Sequence, residues 1–281
     1  MVSTQARVSL EHFVGSFMVF TIMGQLNIYY KLTTIDLNIF IFFTTGLMIW
    51  VLIRLAFDGE VYEIALRAAF LGSTFGLGLY MYLTCQNHIG IFGIYMCVVS
   101  FFHISEFVAI AFIQPNQVSV NSFVLNHSLQ YTIAAVASWI EFFIEVYFYP
   151  DLKKYMTISC VGLAICICGE TLRKLAMYTA GKNFNHLVQC EKAKDHILVT
   201  KGIYAWFRHP SYVGWFYWAI GTQIILLNPI CIPAYAIVSW HFFKTRIYIE
   251  EITLLNFFGQ NYVNYQHKVG TGIPFINGYR I

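Results

Sequence analysis

The chain has 281 residues, of which 58% are hydrophobic and only 11% charged, with a mean hydropathy of +0.61. A soluble domain carries about 25% charged residues. The formal net charge of +3 is spread over loops and forms no basic stripe, which excludes a nucleic-acid partner. The apolar runs are long and continuous rather than alternating, so the expected fold class is an all-α integral membrane protein in contact with lipid.

At the N-terminal end, Arg7 precedes an apolar run that starts at Phe13, contains Gln25 and Asn27, and lacks a small-residue cleavage site. This reads as a first membrane helix and not as a removed signal peptide. A spanning helix needs about 20 apolar residues. Eight segments qualify: residues 12–30, 36–56, 63–84, 89–113, 127–149, 155–177, 211–227 and 229–249. The last two form a hairpin turning at Asn228-Pro229, with proline suited to the first turn of a helix. No linker separates two domains. Residues 1–281 are expected to form a single membrane domain, with N-terminal helices over 1–150 and a core over 155–281.

Lysine and arginine set the orientation. With the N-terminus in the cytoplasm, fourteen basic residues fall inside and only Lys31, Lys153 and Lys154 outside. Both ends then face the cytosol. A cytosolic cap is expected from the polar segment 178–210 and the C-terminal tail 250–281, brought together by the last hairpin. The seven cysteines include no CxxC pair and mostly lie in apolar runs, where cysteine behaves as a small hydrophobe. Neither a disulfide framework nor a metal site is expected.

Ionisable groups inside apolar runs are costly in lipid and face a bundle interior or a water-filled cavity. His103, Glu106, Glu141, Glu145, Glu170 and Arg173 are of this kind. Glu141 and Glu145, four apart, share a helix face. They read first as buried polar glue and second as an ion path. Arg173 closes the sixth segment just before the polar stretch and is a candidate for the site. Tyr29, Tyr30, Tyr147 and Tyr149 near helix ends suggest an interfacial belt. The small residues Gly72, Ser73, Gly76 and Gly78 suggest close helix packing.

The polar residues that call for chemistry gather late in the chain. Arg246 and Glu250, four apart, lie on one face of the eighth helix. His209-Pro210-Ser211-Tyr212 starts the helix before it, with Pro210 at a helix start and backbone N–H groups that could hold a carboxylate. A fixed cation beside a carboxylate suits a site that takes one positively charged ligand and one negatively charged ligand.

The run Arg208-His209-Pro210-Ser211-Tyr212-Val213-Gly214 resembles isoprenylcysteine carboxyl methyltransferases. So do the later Arg246-x-x-x-Glu250-Glu251-x-x-Leu254-x-x-x-Phe258-Gly259-x-x-Tyr262-x-x-Tyr265 and Gly270-Thr271-Gly272-Ile273-Pro274-Phe275. Upstream, Ala180 to His186 and His196 to Tyr204 continue the resemblance, which covers about residues 170–277. The eight-helix count is similar to the animal members of the family.

The resemblance implies transfer of a methyl group from S-adenosylmethionine to the C-terminal carboxylate of a farnesyl- or geranylgeranyl-cysteine. The acceptors it implies are proteins processed at a CaaX motif, in the endoplasmic reticulum membrane, with the site facing the cytosol. By motif, it implies that the cofactor is held by Gln189, His196, Ile197, Leu198, Val199, Tyr204, His209, Pro210, Ser211, Tyr212 and Glu250, and the substrate carboxylate by Arg246. Arg173 is added on grounds of position, so that Arg246, Glu250 and Arg173 are the candidate catalytic residues.

A carboxylate is already a nucleophile, so the site must supply in-line placement and exclude water; no general base is required, and His209 reads as a binding residue. The prenyl chain is expected to enter sideways from lipid. The nearest rivals on the same core are a phospholipid N-methyltransferase and a membrane sterol reductase using NADPH. A channel or transporter fits less well, because the polar residues lie at one face and not at the membrane midplane.

Overall fold

The computed structural model describes residues 3–30, 35–85, 88–125, 128–189, 191, 192, 194 and 196–279. Lys31, Cys190 and Arg280, and the side chains of Asn27, Tyr29 and Tyr30, lie outside the described residues. Among the described residues the secondary structure is helical, as expected. The long helices are α1 (Thr4–Tyr30), α2 (Ile35–Ala56), α3 (Gly59–Thr84), α4 (His88–Ile113), α5 (Leu129–Phe148), α6 (Met156–Ala180), α7 (Pro210–Leu226) and α8 (Cys231–Phe258), followed by a short α9 (Gln260–Lys268).

Among the described residues, four helices are long and apolar enough to cross a membrane by length and composition: α3, α4, α5 and α6 together with the turn to Asn183. Large hydrophobic side chains are exposed along most helices, including Phe43, Leu55, Phe70, Ile140, Ile167 and Ile237. In water such a surface would be costly; in lipid it is the expected solvent-facing side.

The described chain forms two compact units, one of residues 1–160 with 225–227, the other of residues 161–224 and 228–281. In the first unit the small residues of α3 act as expected. A Cβ on Gly72 would lie 2.2 Å from the Phe13 carbonyl oxygen of α1, and one on Gly78 would lie 2.6 Å from the Gly93 carbonyl oxygen of α4. Backbones approach this closely only where side chains are absent. Phe107 stacks on Phe123 at 4.1 Å. His103 and the Glu145–Lys153 pair serve this unit as internal glue. His103 contacts the Phe123 carbonyl at 2.9 Å and the Tyr131 hydroxyl at 3.1 Å. Lys153, counted above among the outer loop cations, is in fact buried: it pairs with Glu145 and donates to the carbonyls of Leu226 and Leu227 at 2.8 and 2.9 Å.

In the second unit, α6 and α7 cross at Gly169 and Gly214, where an added Cβ on either would meet the other's carbonyl oxygen at 2.5–2.6 Å. Nothing at this crossing can give except helix backbone. Gly214→Ala is therefore expected to force α6 and α7 apart at a cost of about 1–3 kcal/mol, read as a lower unfolding temperature in detergent; an unchanged temperature would show that the crossing is loose.

The last hairpin turns where expected, but α8 differs from its expected span of 229–249. Asn228 accepts from the Ile232 amide at 2.9 Å, so the first turn already forms over Pro229. At the other end the helix runs to Phe258, and Gly259, with φ of +50°, breaks it before α9. Arg246, Glu250 and Glu251 thus sit well inside a rigid helix.

Candidate functional site

The second unit contains all of the candidate residues. Its organising group is Glu251, fully buried on α8. One carboxylate oxygen accepts from Arg208 Nε at 2.8 Å, contacts His209 Nε2 at 3.1 Å and accepts from the Tyr262 hydroxyl at 3.2 Å; the other accepts from Gln266 Nε2 at 3.2 Å. Burial pushes this carboxyl's pKa up, but the bonds from His209 and Arg208 outweigh burial and leave it below the ordinary carboxylate value. The Arg208 guanidinium also donates to the carbonyls of Gln266, Val269 and Asn277, at 3.2, 2.5 and 2.8 Å. One ion pair therefore fixes α8, α9, the segment after α9 and the start of α7.

Glu250, its neighbour in sequence, faces elsewhere and is partly exposed. It accepts a short hydrogen bond from the Tyr212 hydroxyl, whose oxygen accepts from Arg246 Nε at 2.8 Å. Tyr212 is thus the bridge between the cation and the carboxylate that the sequence placed on one helix face. Arg246 Nη2 donates to the His186 carbonyl, while its Nη1 has no hydrogen bond to another described residue. Tyr212 stacks on Phe243 at 5.2 Å and lies parallel to His209 at 5.5 Å.

At the start of α7 the structure departs from expectation. The amides of Tyr212 and Val213 both donate to the His209 carbonyl, at 3.0 and 3.1 Å, and Pro210 and Ser211 are buried. Those two N–H groups are already occupied and do not receive a carboxylate. Arg173, buried on α6, donates to Ser211 Oγ at 2.6 Å and lies over the Trp215 ring at 4.7 Å. It therefore belongs to the same polar cluster.

A cleft opens beside Glu250 and encloses about 690 Å³ of space not filled by protein atoms, part of it open to solvent. Of the expected cofactor residues, Gln189, His196, Ile197, Leu198, Val199, Tyr204 and Glu250 line it; His209, Pro210, Ser211 and Tyr212 do not, nor do Arg246 and Arg173. The wall over 196–199 is held from below. The Ile197 amide donates to Asn183 Oδ1 at 2.9 Å, and Leu198 packs with Leu255, Tyr262 and Tyr265. His196 sits edge-on to Phe257 and Phe258. Burial and the nearby Lys192 lower its pKa from the ordinary histidine value, with Glu250 opposing. Lys192 itself donates to the Phe257 carbonyl at 2.8 Å near the end of α8, where a cation is favoured.

Sequence reasoning missed the cleft residues of the α8 end, Thr253, Leu254 and Phe257, and the support from Asn183. The signal for Asn183 was its place in the upstream run, and that for Leu254 its place in the motif from Arg246 to Tyr265; for Thr253 and Phe257 there was none, because the helix was expected to stop at 249.

A sequence model of the isoprenylcysteine carboxyl methyltransferase family matches residues 161–256. The chain is 58% identical over 281 residues to a protein-S-isoprenylcysteine O-methyltransferase of Tribolium castaneum, with 100% of each chain covered. It is 51% identical over 242 residues to the protein of the same name from Homo sapiens, covering 84% of this chain and 85% of that one. A solved structure described as the eukaryotic intramembrane Ras methyltransferase, isoprenylcysteine carboxyl methyltransferase, is similar with a TM-score of 0.97 and 58% identity, covering 99% of this chain and 100% of the other. On sequence and fold alike, the chain belongs to the isoprenylcysteine carboxyl methyltransferase family of membrane enzymes.

Proposed function

We propose that this enzyme uses S-adenosylmethionine to esterify the C-terminal carboxylate of farnesyl- or geranylgeranyl-cysteine on CaaX-processed proteins. The observation that carries the reading is the chain Arg246–Tyr212–Glu250, one end of which lines the cleft. Its two ends offer opposite charges to two ligands, and a single tyrosine fixes the distance between them.

Bound S-adenosylmethionine would supply an electrophilic methyl group on a sulfonium centre. The fit is supported by the Glu250 carboxylate at the cleft wall and the polar backbone of 196–199. Glu250 would face the positive end of the cofactor, with Gln189, His196, Ile197, Leu198, Val199 and Tyr204 along its length. His209, Pro210, Ser211 and Tyr212 would act from behind the wall, by placing Glu250 and Arg246. Arg246 would hold the substrate carboxylate through Nη1, and the planar fork suits that partner. Arg173 would hold the first turn of α7 through Ser211 and add a second positive charge. Arg246 and Glu250 would place the acceptor carboxylate in line with that methyl group. No proton is exchanged, so the site needs placement and dryness rather than a base. The count of fourteen basic residues against three supports a cytosol-facing site in the endoplasmic reticulum membrane, and the chain is read as one working membrane domain.

The test uses the full chain in detergent with labelled S-adenosylmethionine and farnesylcysteine, scoring base-labile methyl ester. Ester formation supports the reading; cofactor binding with transfer only to a lipid amine would replace it by the phospholipid methyltransferase reading. Glu250→Gln is expected to weaken cofactor binding roughly tenfold, the loss of about 1.4 kcal/mol from one charge pairing. Unchanged affinity in a titration would remove Glu250 from the cofactor.

A further inference from the structure

The segment after α9 does not lie over the protein as a surface tail. It leaves the level of Arg208, where the Gly270 and Thr271 carbonyls accept from the Arg208 and His209 amides at 2.8 and 3.3 Å. It then runs to Trp240 of α8, whose Nε1 donates to the Pro274 carbonyl at 2.8 Å. It returns to Glu251, since an added Cβ on Gly278 would meet that carboxylate at 1.8 Å. Trp240 and Glu251 are eleven residues apart on one helix, so the excursion is about 16 Å along α8. Trp240 also lies within the expected span 229–249, four residues or about 6 Å along the helix from Lys244, whose ammonium sits over its ring at 5.0 Å.

Irregular backbone is tolerated at that depth only if its polar groups are satisfied by protein. Here the carbonyls of Val269, Gly270, Thr271, Pro274, Ile276, Asn277 and Tyr279 all accept hydrogen bonds, several of them from side chains of Arg208, Trp240, Thr271 and Gln266. Ile273 and Ile276 are buried against Val213, Phe216, Phe243 and Ile247. Between them Phe275 points outward, 93% exposed, on a backbone with φ of +63°. A bulky residue rarely adopts that conformation, and the turn is fixed by the Ile276 amide bonding to the Ile273 carbonyl at 3.3 Å. The neighbouring face of α8 is apolar and exposed, at Ile237, Val238 and Phe242.

We infer that residues 269–279 form a re-entrant loop whose tip, Phe275, is seated among the acyl chains of the bilayer. The loop anchors the Arg208–Glu251 ion pair to the membrane from the lipid side. This rests on the geometry of α7, α8 and the loop, and does not depend on which methyl acceptor the enzyme uses.

The test places benzoylphenylalanine at 275 in the full chain, reconstituted in phosphatidylcholine nanodiscs, with the same probe at Val238 as the lipid-facing reference. Illumination is expected to yield a phosphatidylcholine adduct at both positions, seen as the added lipid mass. An adduct at 238 with none at 275, or only an intrachain crosslink at 275, overturns the proposal. Hydroxyl-radical footprinting checks it in the unsubstituted protein. Phe275 is expected to be protected in nanodiscs relative to the urea-unfolded chain, and oxidation at an equal rate in the two states overturns the loop's placement in lipid.

Discussion

Arg246→Ala is expected to lower kcat/KM for methyl transfer by about 10³-fold while leaving cofactor affinity within about threefold. Removing one preorganised donor from a charged reaction centre costs about 10²–10³ in rate, and a guanidinium facing a carboxylate sits at or above the top of that range. Arg246 is preorganised: its Nε donates to the Tyr212 hydroxyl and its Nη2 to the His186 carbonyl, and in the proposed reading Nη1 would take the acceptor. Cofactor affinity is spared because Arg246 does not line the cleft. Arg246→Lys is expected to recover little, since a single ammonium cannot bond Tyr212, His186 and a carboxylate in one plane. Single-turnover rates together with cofactor titration separate the outcomes. Near-normal turnover in the alanine variant would show that another group holds the acceptor.

Glu251→Ala is expected to act on the fold and not on the chemistry. It leaves the Arg208 guanidinium, whose side chain is fully buried, without its counter-charge. Breaking one side of a buried pair costs about 3–5 kcal/mol, a drop in unfolding temperature on the order of 10 °C for a chain of this size. Replacing both partners with apolar side chains, Arg208→Met with Glu251→Leu, is expected to recover part of that loss. If the single and double variants unfold together, the pair does not hold the site. The lowered pKa of Glu251 adds a pH signature. Its stabilisation is complete above the ordinary carboxylate pKa of about 4.3 and is lost as pH falls through the lower folded value. The natural protein is therefore expected to weaken steeply below about pH 4, and Glu251→Gln to lack that step.

The helices were legible because lipid imposes a simple rule on sequence: long apolar runs broken by polar turns. That rule placed six of the eight long helices close to their observed bounds, while α1 begins at Thr4, eight residues before its expected start; the small residues of α3 told of close packing before any contact was known. It failed at α8, where Glu250, Glu251 and Asn256 made a helix leaving the membrane look like a helix ending. It also failed at Lys153, because a lysine in a loop carries no mark of being folded inward onto carbonyls more than 70 residues away. The site was half legible. The residue types and their spacing suggested one positively and one negatively charged ligand, the family resemblance supplied the expected cofactor residues, and seven of these line the cleft. The Tyr212 bridge, the occupied amides of α7 and the Arg208 contacts depend on which distant backbone meets which side chain, and no local pattern records that.

The reach of Arg208 has a consequence for how the chain is made. Its bond to the Asn277 carbonyl joins positions 69 residues apart, and its partners at Gln266 and Val269 also come late. While the ribosome is still translating this stretch, the start of α7 and the wall of the cleft exist without the contacts that fix them. The contacts that fix Arg208 therefore form late in biosynthesis, and a nascent chain stopped before Asn277 would lack the last of them.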